Sequence, residues 1–145
     1  MLTYTHIAEE GEVRRVLNAC APAFHDQSYN NPERIAELAK KFAQAARVLV
    51  AYEQDEPRGF CAYYANDEQS RIAYVSMIIV APGMQGRSVG SRLIAQAADD
   101  ARACGMTRMR LEVACDNEGA LRFYRRHGFV EESVRGDHRF LVRPL

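Results

Sequence analysis

Arg87 and Arg92 bracket Ser88 and Gly90 in the stretch Val80 to Arg92, V-A-P-G-M-Q-G-R-S-V-G-S-R, and Gly86 stands just before them. The stretch joins a strongly apolar run, Ala73 to Val80, to an amphipathic one, Val89 to Cys104, so it predicts a strand, a tight connection and the start of a helix. Backbone amides at a helix start have no partner inside the helix, and the aligned peptide dipoles add partial positive charge there. Gly86 and Gly90 place no side chain between such amides and an anion, while the two guanidinium groups add charge close by. The chemistry suited to this pattern is phosphate binding. A plain turn has the same outline, and the chain has neither Gly-Lys-Ser/Thr nor Gly-x-Gly-x-x-Gly, which disfavours a mononucleotide site.

The residues around the turn resemble the acyl-CoA-binding signature of the GNAT superfamily of N-acetyltransferases, V-x-P-x-x-[QR]-x-x-G-x-[GA]. Val80, Pro82, Gln85, Val89 and Gly90 stand at matching offsets, and Ser88 takes the place of the first glycine. A serine there still offers its backbone amide and has a hydroxyl that can cap the helix. Further on, Asn117-x-x-Ala120-x-x-Phe123-Tyr124-x-x-x-Gly128-Phe129 fits the family's later motif without a gap. Two motifs in this order are far more specific than either alone, and together they cover residues 72 to 130. The first 70 residues carry much less of the resemblance.

The resemblance implies an N-acetyltransferase with acetyl-CoA as co-substrate, moving the acetyl group to a primary amine by direct attack in a ternary complex, with no cysteine nucleophile. It implies cofactor contacts from the strand end at Ile78, Ile79 and Val80, from the turn at Gln85, Gly86, Arg87, Ser88, Val89 and Gly90, and from Asn117 and Arg126. It also implies that Tyr124 is the general acid for the leaving thiolate, a role suited to a phenol whose pKa of about 10 exceeds that of a thiol. Packing in the core is the other reading of Tyr124. Some family members carry a carboxylate or His on the strand before the turn, on the face that here holds Tyr74 and Ser76, and neither is a conventional base. Glu112, in L-E-V, matches a Glu that resembles the base of protein N-terminal acetyltransferases in this superfamily. The plainer alternative is a strand Glu paired with Arg108 or Arg110. His25 is a second candidate base, and His127 stands where it would cap a helix.

The 145 residues suit one domain, residues 1–145, with a single core. Net charge is zero, which argues against a broad basic surface for nucleic acid, although 17 of the 19 basic residues are Arg. Four cysteines, Cys20, Cys61, Cys104 and Cys115, lack C-x-x-C spacing and lie among apolar neighbours, so they read as reduced core thiols, and neither they nor the histidines have metal-ligand spacing. No basic segment followed by an apolar one opens the chain, and no run approaches 18 apolar residues; the expectation is a cytoplasmic protein without membrane contact. A homodimer remains open.

To position these residues, the pattern predicts a strand at Leu2–Ile7 and a helix over Glu9–Phe24 whose end is blurred by Pro22. A polar loop, His25–Asn31, precedes a second helix capped by Asn31 with Pro32 in its first turn and Ile35, Leu38, Phe42 and Ala45 as its buried stripe. Strands at Arg47–Tyr52 and Phe60–Tyr64 flank a turn over Glu53–Gly59, and a second turn at Asn66–Ser70 leads into the strand Arg71–Val80. The helix from Val89 ends at Gly105, Thr107–Cys115 is a strand, Asn117–His127 a short helix, and Phe129–Val134 pairs with Arg139–Val142 around Gly136-Asp137. The order β-α-α-β-β-β-α-β-α-β-β is a mixed α/β arrangement. The resemblance adds that the fourth and fifth strands run parallel and splay apart, with the cofactor in the gap. The acceptor is expected to be a small amine (amino sugar, polyamine or amino acid derivative), with a protein N-terminus as the alternative, and a non-catalytic acyl-CoA sensor is the rival from another class.

Overall fold

The computed structural model describes residues 1–145. The elements are β1 (Leu2–Ile7), α1 (Glu10–Cys20), α2 (Pro32–Ala45), β2 (Arg47–Glu53), β3 (Glu56–Tyr64), β4 (Ile72–Val80), α3 (Val89–Ala103), β5 (Arg108–Ala114), α4 (Glu118–Arg126), β6 (Val130–Arg135) and β7 (His138–Pro144). This is the expected mixed α/β order. Seven strands form one sheet in the order β1-β2-β3-β4-β5-β7-β6.

Local chemistry sets most boundaries. The Glu9 carboxylate accepts hydrogen bonds from the amides of Gly11 and Glu12 and starts α1. The helix stops at Cys20, earlier than Phe24, because the chain around Pro22 tightens into a 3₁₀ turn, Ala21–Ala23. The expected loop at His25–Asn31 contains a second such turn, Gln27–Tyr29, with Asp26 accepting from the Ser28 amide. Asn31 caps α2 as expected, but the buried stripe is Ile35, Ala39 and Phe42. Leu38 is only half-buried and Ala45 is exposed, since positions i, i+4 and i+7 from Ile35 turn the core-facing stripe away from both.

The β2–β3 connection is also tighter than the Glu53–Gly59 turn read from composition. Both strands run on until only Gln54 and Asp55 join them, each with positive φ (52° and 65°). That is the backbone of the two-residue hairpin turn whose twist matches the strands, normally signalled by Asn-Gly, and Gln-Asp hides it.

Side-chain alternation separates two faces. A side chain at Gly59 would meet Val89 and Leu93 of α3, at 3.2 and 3.3 Å. Tyr63, four residues on, donates its hydroxyl proton to Asp100 of the same helix. The register carries this α3 face to Val75, Ile78 and Val80 on β4 and to Leu111 on β5. Tyr74, Met77, Ile79, Arg110 and Glu112 lie on the opposite face, where α1 packs against β3 and α2 against β2. Helix α4 joins α3, with the Ser91 hydroxyl 3.0 Å from the His127 ring. The core includes Cys20 and Cys61, but Cys104 is exposed and Cys115 only half-buried, so two of the four thiols are not core groups. No helix is long and apolar enough to cross a membrane.

Candidate active site

Strands β4 and β5 are parallel and paired only from Ile72↔Arg108 to Val75↔Leu111. Beyond this point β4 continues to Val80 along β3, and β5 continues to Ala114 along β7. Each strand thus follows its antiparallel neighbour, and the two separate. The parting starts at an irregularity in β4: Val75 pairs with Tyr63 and Met77 with Ala62, leaving Ser76 as the extra residue of a bulge, which bends and twists a strand.

A cleft of about 570 Å³ fills the opening. Both faces of the sheet contribute to it. From β4 come Tyr74 to Ile79, from β5 Leu111, Glu112 and Ala114, from α4 Tyr124 with its cap residue Asn117, and from the segment before and within α2 His25, Asp26, Tyr29, Leu38 and Lys41. The apolar residues Met77, Ile78, Ile79 and Val80 are only partly buried in this structure, in contrast to Ala73 and Val75 at the closed end.

Tyr124 is 7% exposed. Burial pushes its phenol well above the ordinary range, with the neighbouring Cys61 thiol adding to the effect, and no hydrogen bond to the hydroxyl contributes. Its hydroxyl has no hydrogen-bond partner within the protein and, unlike the enclosed hydroxyl of Tyr64, opens onto the cleft, so its proton is available to a group that enters. The rest of the ring is fixed by edge contacts with Phe123 and Phe129, at centroid distances of 5.2 and 5.5 Å.

Glu112 projects into the cleft from the other side. Its carboxylate accepts from the Tyr74 hydroxyl at 3.4 Å and lies 3.7 Å from His138 Nδ1. It is not paired with either arginine considered for it, and Arg110 instead binds Glu132. The acidic oxygen raises the Tyr74 phenol further, after burial as the main cause. His25 also borders the cleft, 3.3 Å from Asp116. The His127 ring is held by Ser91 rather than capping α4; burial, then Arg126 and Arg143, lowers its pKa, while its backbone N–H makes the cap. His138, Tyr29 and Lys41 had no local signal and reach the cleft only through the sheet order and the packing of α2.

The turn between β4 and α3 differs in detail from its sequence reading. No acceptor within the protein is bound to the amides of Gly86, Ser88, Val89 or Gly90. They form a concentration of free donors at the start of α3, the arrangement that receives phosphate oxygens. Ser88 holds a left-handed conformation, φ 59° and ψ 23°, which explains why the motif has glycine here, and its hydroxyl makes no cap. Gln85 bonds the Gly83 amide at 3.1 Å and so shapes the turn. A side chain at Gly90 would meet the Phe123 ring at 3.3 Å and Val80 at 3.4 Å, so this glycine permits close packing of α3 on α4 and does not face open space.

Neither arginine of the turn points freely outward. Arg87 is paired with Glu53 at 2.9 Å, and Arg92 lies 5.5 Å over the Tyr4 ring. The Arg87 pair is exposed, and such pairs are weakly held. Arg126 is exposed, 6.0 Å over the Phe123 ring, and therefore beside the start of α3. Asn117 Oδ1 caps α4 by accepting from the Ala120 amide, so its nitrogen is the part left for a ligand. Free amides, a half-buried apolar strand end and a cleft of this length suit an acyl-CoA, whose phosphates, pantetheine arm and thioester need those three environments in sequence.

The chain matches the acetyltransferase (GNAT) family over residues 11–129. It is 36% identical over 83 residues to an uncharacterized N-acetyltransferase of Methanocaldococcus jannaschii, covering 54% of this chain and 37% of that one. It is 27% identical to the mycothiol acetyltransferase of Gordonia bronchialis over 134 residues, which cover 91% of this chain and 44% of the relative. The chain thus spans less than half the length of these two curated relatives. Its fold resembles that of the PaiA N-acetyltransferase of Thermoplasma acidophilum, solved in complex with coenzyme A, with a TM-score of 0.75, 16% identity and 99% coverage of both chains. With the splayed strands, the free amides and the family match over most of its length in agreement, this chain belongs to the GNAT family of acetyltransferases.

Proposed function

We propose that the protein transfers an acetyl group from acetyl-CoA to the primary amine of a small molecule by direct attack in a ternary complex. The observation that carries the reading is the position of two proton-handling groups on opposite sides of one opening: the unpaired Tyr124 hydroxyl and the Glu112–Tyr74 pair.

Acyl-CoA supplies an activated thioester; the residues supply position and protons. The free amides of Gly86, Ser88, Val89 and Gly90 would hold the phosphates, with Arg126 near and Arg87 released from Glu53. The ends of β4 and β5, no longer paired to each other, offer main-chain groups along Ile78, Ile79 and Val80 to the pantetheine amides. Glu112, directly or through a water, accepts the proton of the amine. An alkylamine with a pKa of about 10 is only about one part in a thousand neutral near pH 7, so a base at this position raises the reactive fraction. Tyr124 gives its proton to the leaving sulfur. The burial that strengthens the phenol's hold on its proton also makes a free thiolate costly in the same place, so transfer is favoured when the sulfur becomes anionic.

A non-catalytic acyl-CoA sensor is favoured by one feature, the strained Ser88 with Arg87 turned away. Coenzyme release with acetyl-CoA and a panel of primary amines separates the two. Amine-dependent release supports the transferase. Tight acetyl-CoA binding with no release above hydrolysis across small amines and N-terminal peptides supports the sensor.

A further inference from the structure

Among the residues lining the cleft, Lys41 is the one permanent cation, and no carboxylate lies within ion-pair distance of it. Of the two carboxylates of the cleft, Glu112 lies on β5 with Tyr74 and His138, while Asp26 accepts from the Ser28 amide and feels the charge of Arg34 without pairing with it or with Lys41. The cleft therefore carries Glu112 at the splay and an unpaired cation, Lys41, on α2. Lys41 also borders a second pocket of about 320 Å³, which shares Tyr29 and Leu38 with the first and continues along α2 to Arg34 and Glu37. Lys41 and Arg34 are seven residues apart, two helical turns or roughly 10 Å, and so lie on one face of α2. Arg34 lies 4.9 Å over the Tyr29 ring and has no ion-pair partner; Glu37, between the two cations, lines only the outer pocket.

We propose that the acceptor is an amine that also carries a carboxylate, with Lys41 as the residue that selects it and Arg34 extending the basic side. This rests on the acetyltransferase reading and names its substrate class. An amino acid places its ammonium group toward Glu112 and its carboxylate toward Lys41, matching both charges of the cleft. Phe24, Leu38 and Met77 add apolar surface to the same cleft, which suits an uncharged aliphatic or aromatic side chain. A polyamine lacks the anionic end and would put a second positive charge beside Lys41.

The test uses leucine, methionine and phenylalanine beside their carboxamides, which keep the amine and lose the charge. With the wild-type protein and coenzyme A, calorimetry is expected to show at least tenfold tighter binding of an acid than of its amide. In Lys41→Met the preference falls to within about twofold, and turnover shows the change as a raised KM with kcat little altered. Equal binding of acid and amide to the wild-type protein, or binding of none of the three acids, overturns the proposal. So does a preference that survives Lys41→Met. Amine-dependent release of coenzyme A that ignores the carboxylate would sink this inference alone, whereas acid-selective binding without release would keep Lys41 as the carboxylate-selecting residue but sink the transferase reading and, with it, the acceptor role.

Discussion

Two buried tyrosines on the α3 side of the sheet show how the same residue serves different ends. Tyr63 is 0% exposed and Tyr124 7%, and burial raises the pKa of both phenols. Tyr63 donates to Asp100 at 2.6 Å, lies 2.9 Å from the His6 ring, and belongs to a cluster completed by Arg47, which bonds the same carboxylate. The Tyr63 hydroxyl and both Asp100 oxygens are partnered there, and the cluster ties β1, β2 and β3 to α3. Tyr124 has an equally tight apolar setting and no partner for its hydroxyl. Burial alone does not separate the two, and neither does a missing partner, since the enclosed Tyr64 hydroxyl is also unpaired; what sets Tyr124 apart is that its free hydroxyl opens onto the cleft.

Mutation of Tyr124 is the sharpest way to break this comparison and has the largest expected effect. Tyr124→Phe removes no internal hydrogen bond, so melting temperature and coenzyme A affinity stay close to wild type. Turnover falls by about 10² or more, the range for loss of a general acid. Full turnover in the Phe variant would place Tyr124 with Tyr63 as a packing residue.

The reciprocal change should affect stability and spare catalysis. Tyr63→Phe leaves Asp100 short of a donor in a mostly buried position, at a cost of about 1–3 kcal/mol in denaturant unfolding, with turnover per folded molecule unchanged. The Asp100 carboxyl has a pH signature as well. Burial works against its charge, but hydrogen bonds from Arg47 and Tyr63 outweigh that and hold its pKa below the ordinary value. Its contribution is therefore present above the unfolded-state pKa, about 4, and lost as pH falls through the lower folded value. The stability gap between wild type and Asp100→Asn should narrow below that point. A gap that is constant with pH would mean that the cluster does not couple to the charge.

Glu112→Gln tests the acidic side of the cleft. Turnover should fall by about tenfold near neutral pH and recover as pH approaches the amine's own pKa of about 10, where help with deprotonation loses its value. A pH-rate profile parallel to that of wild type would assign Glu112 a purely structural part beside Tyr74. The smallest effect is expected at the turn, where Ser88→Gly relieves a left-handed conformation. A net gain of roughly 0.5–1 kcal/mol in stability remains after the entropy cost of glycine, with equal or tighter coenzyme A binding. Loss of stability in this variant would contradict the left-handed geometry at Ser88.

Much of the fold was legible because its signals are local. Asn31-Pro32 starts α2 where a cap and a first-turn proline must, Gly105 follows α3 with φ 92°, and apolar periodicity marks α3 and its buried face. The free amides of the turn and the place of Tyr124 on the cleft were legible through motifs, since a helix start and a fixed spacing along α4 depend on chain order. What a side chain meets across the fold carried no such mark. Glu112 was written beside two arginines and pairs with neither, because strand alternation and register turn it to Tyr74 and His138. The neighbours of Arg87 in the chain suit a phosphate ligand, and only the return of β2 past the turn brings Glu53 to it. The bulge at Ser76, the insertion of β7 between β5 and β6, and the separation of β4 from β5 all arise from competition between strands for backbone partners. Sequence determined which elements form and which could do chemistry; tertiary structure decided where the sheet stops pairing, because a hydrogen-bond ladder is satisfied between strands distant in the chain.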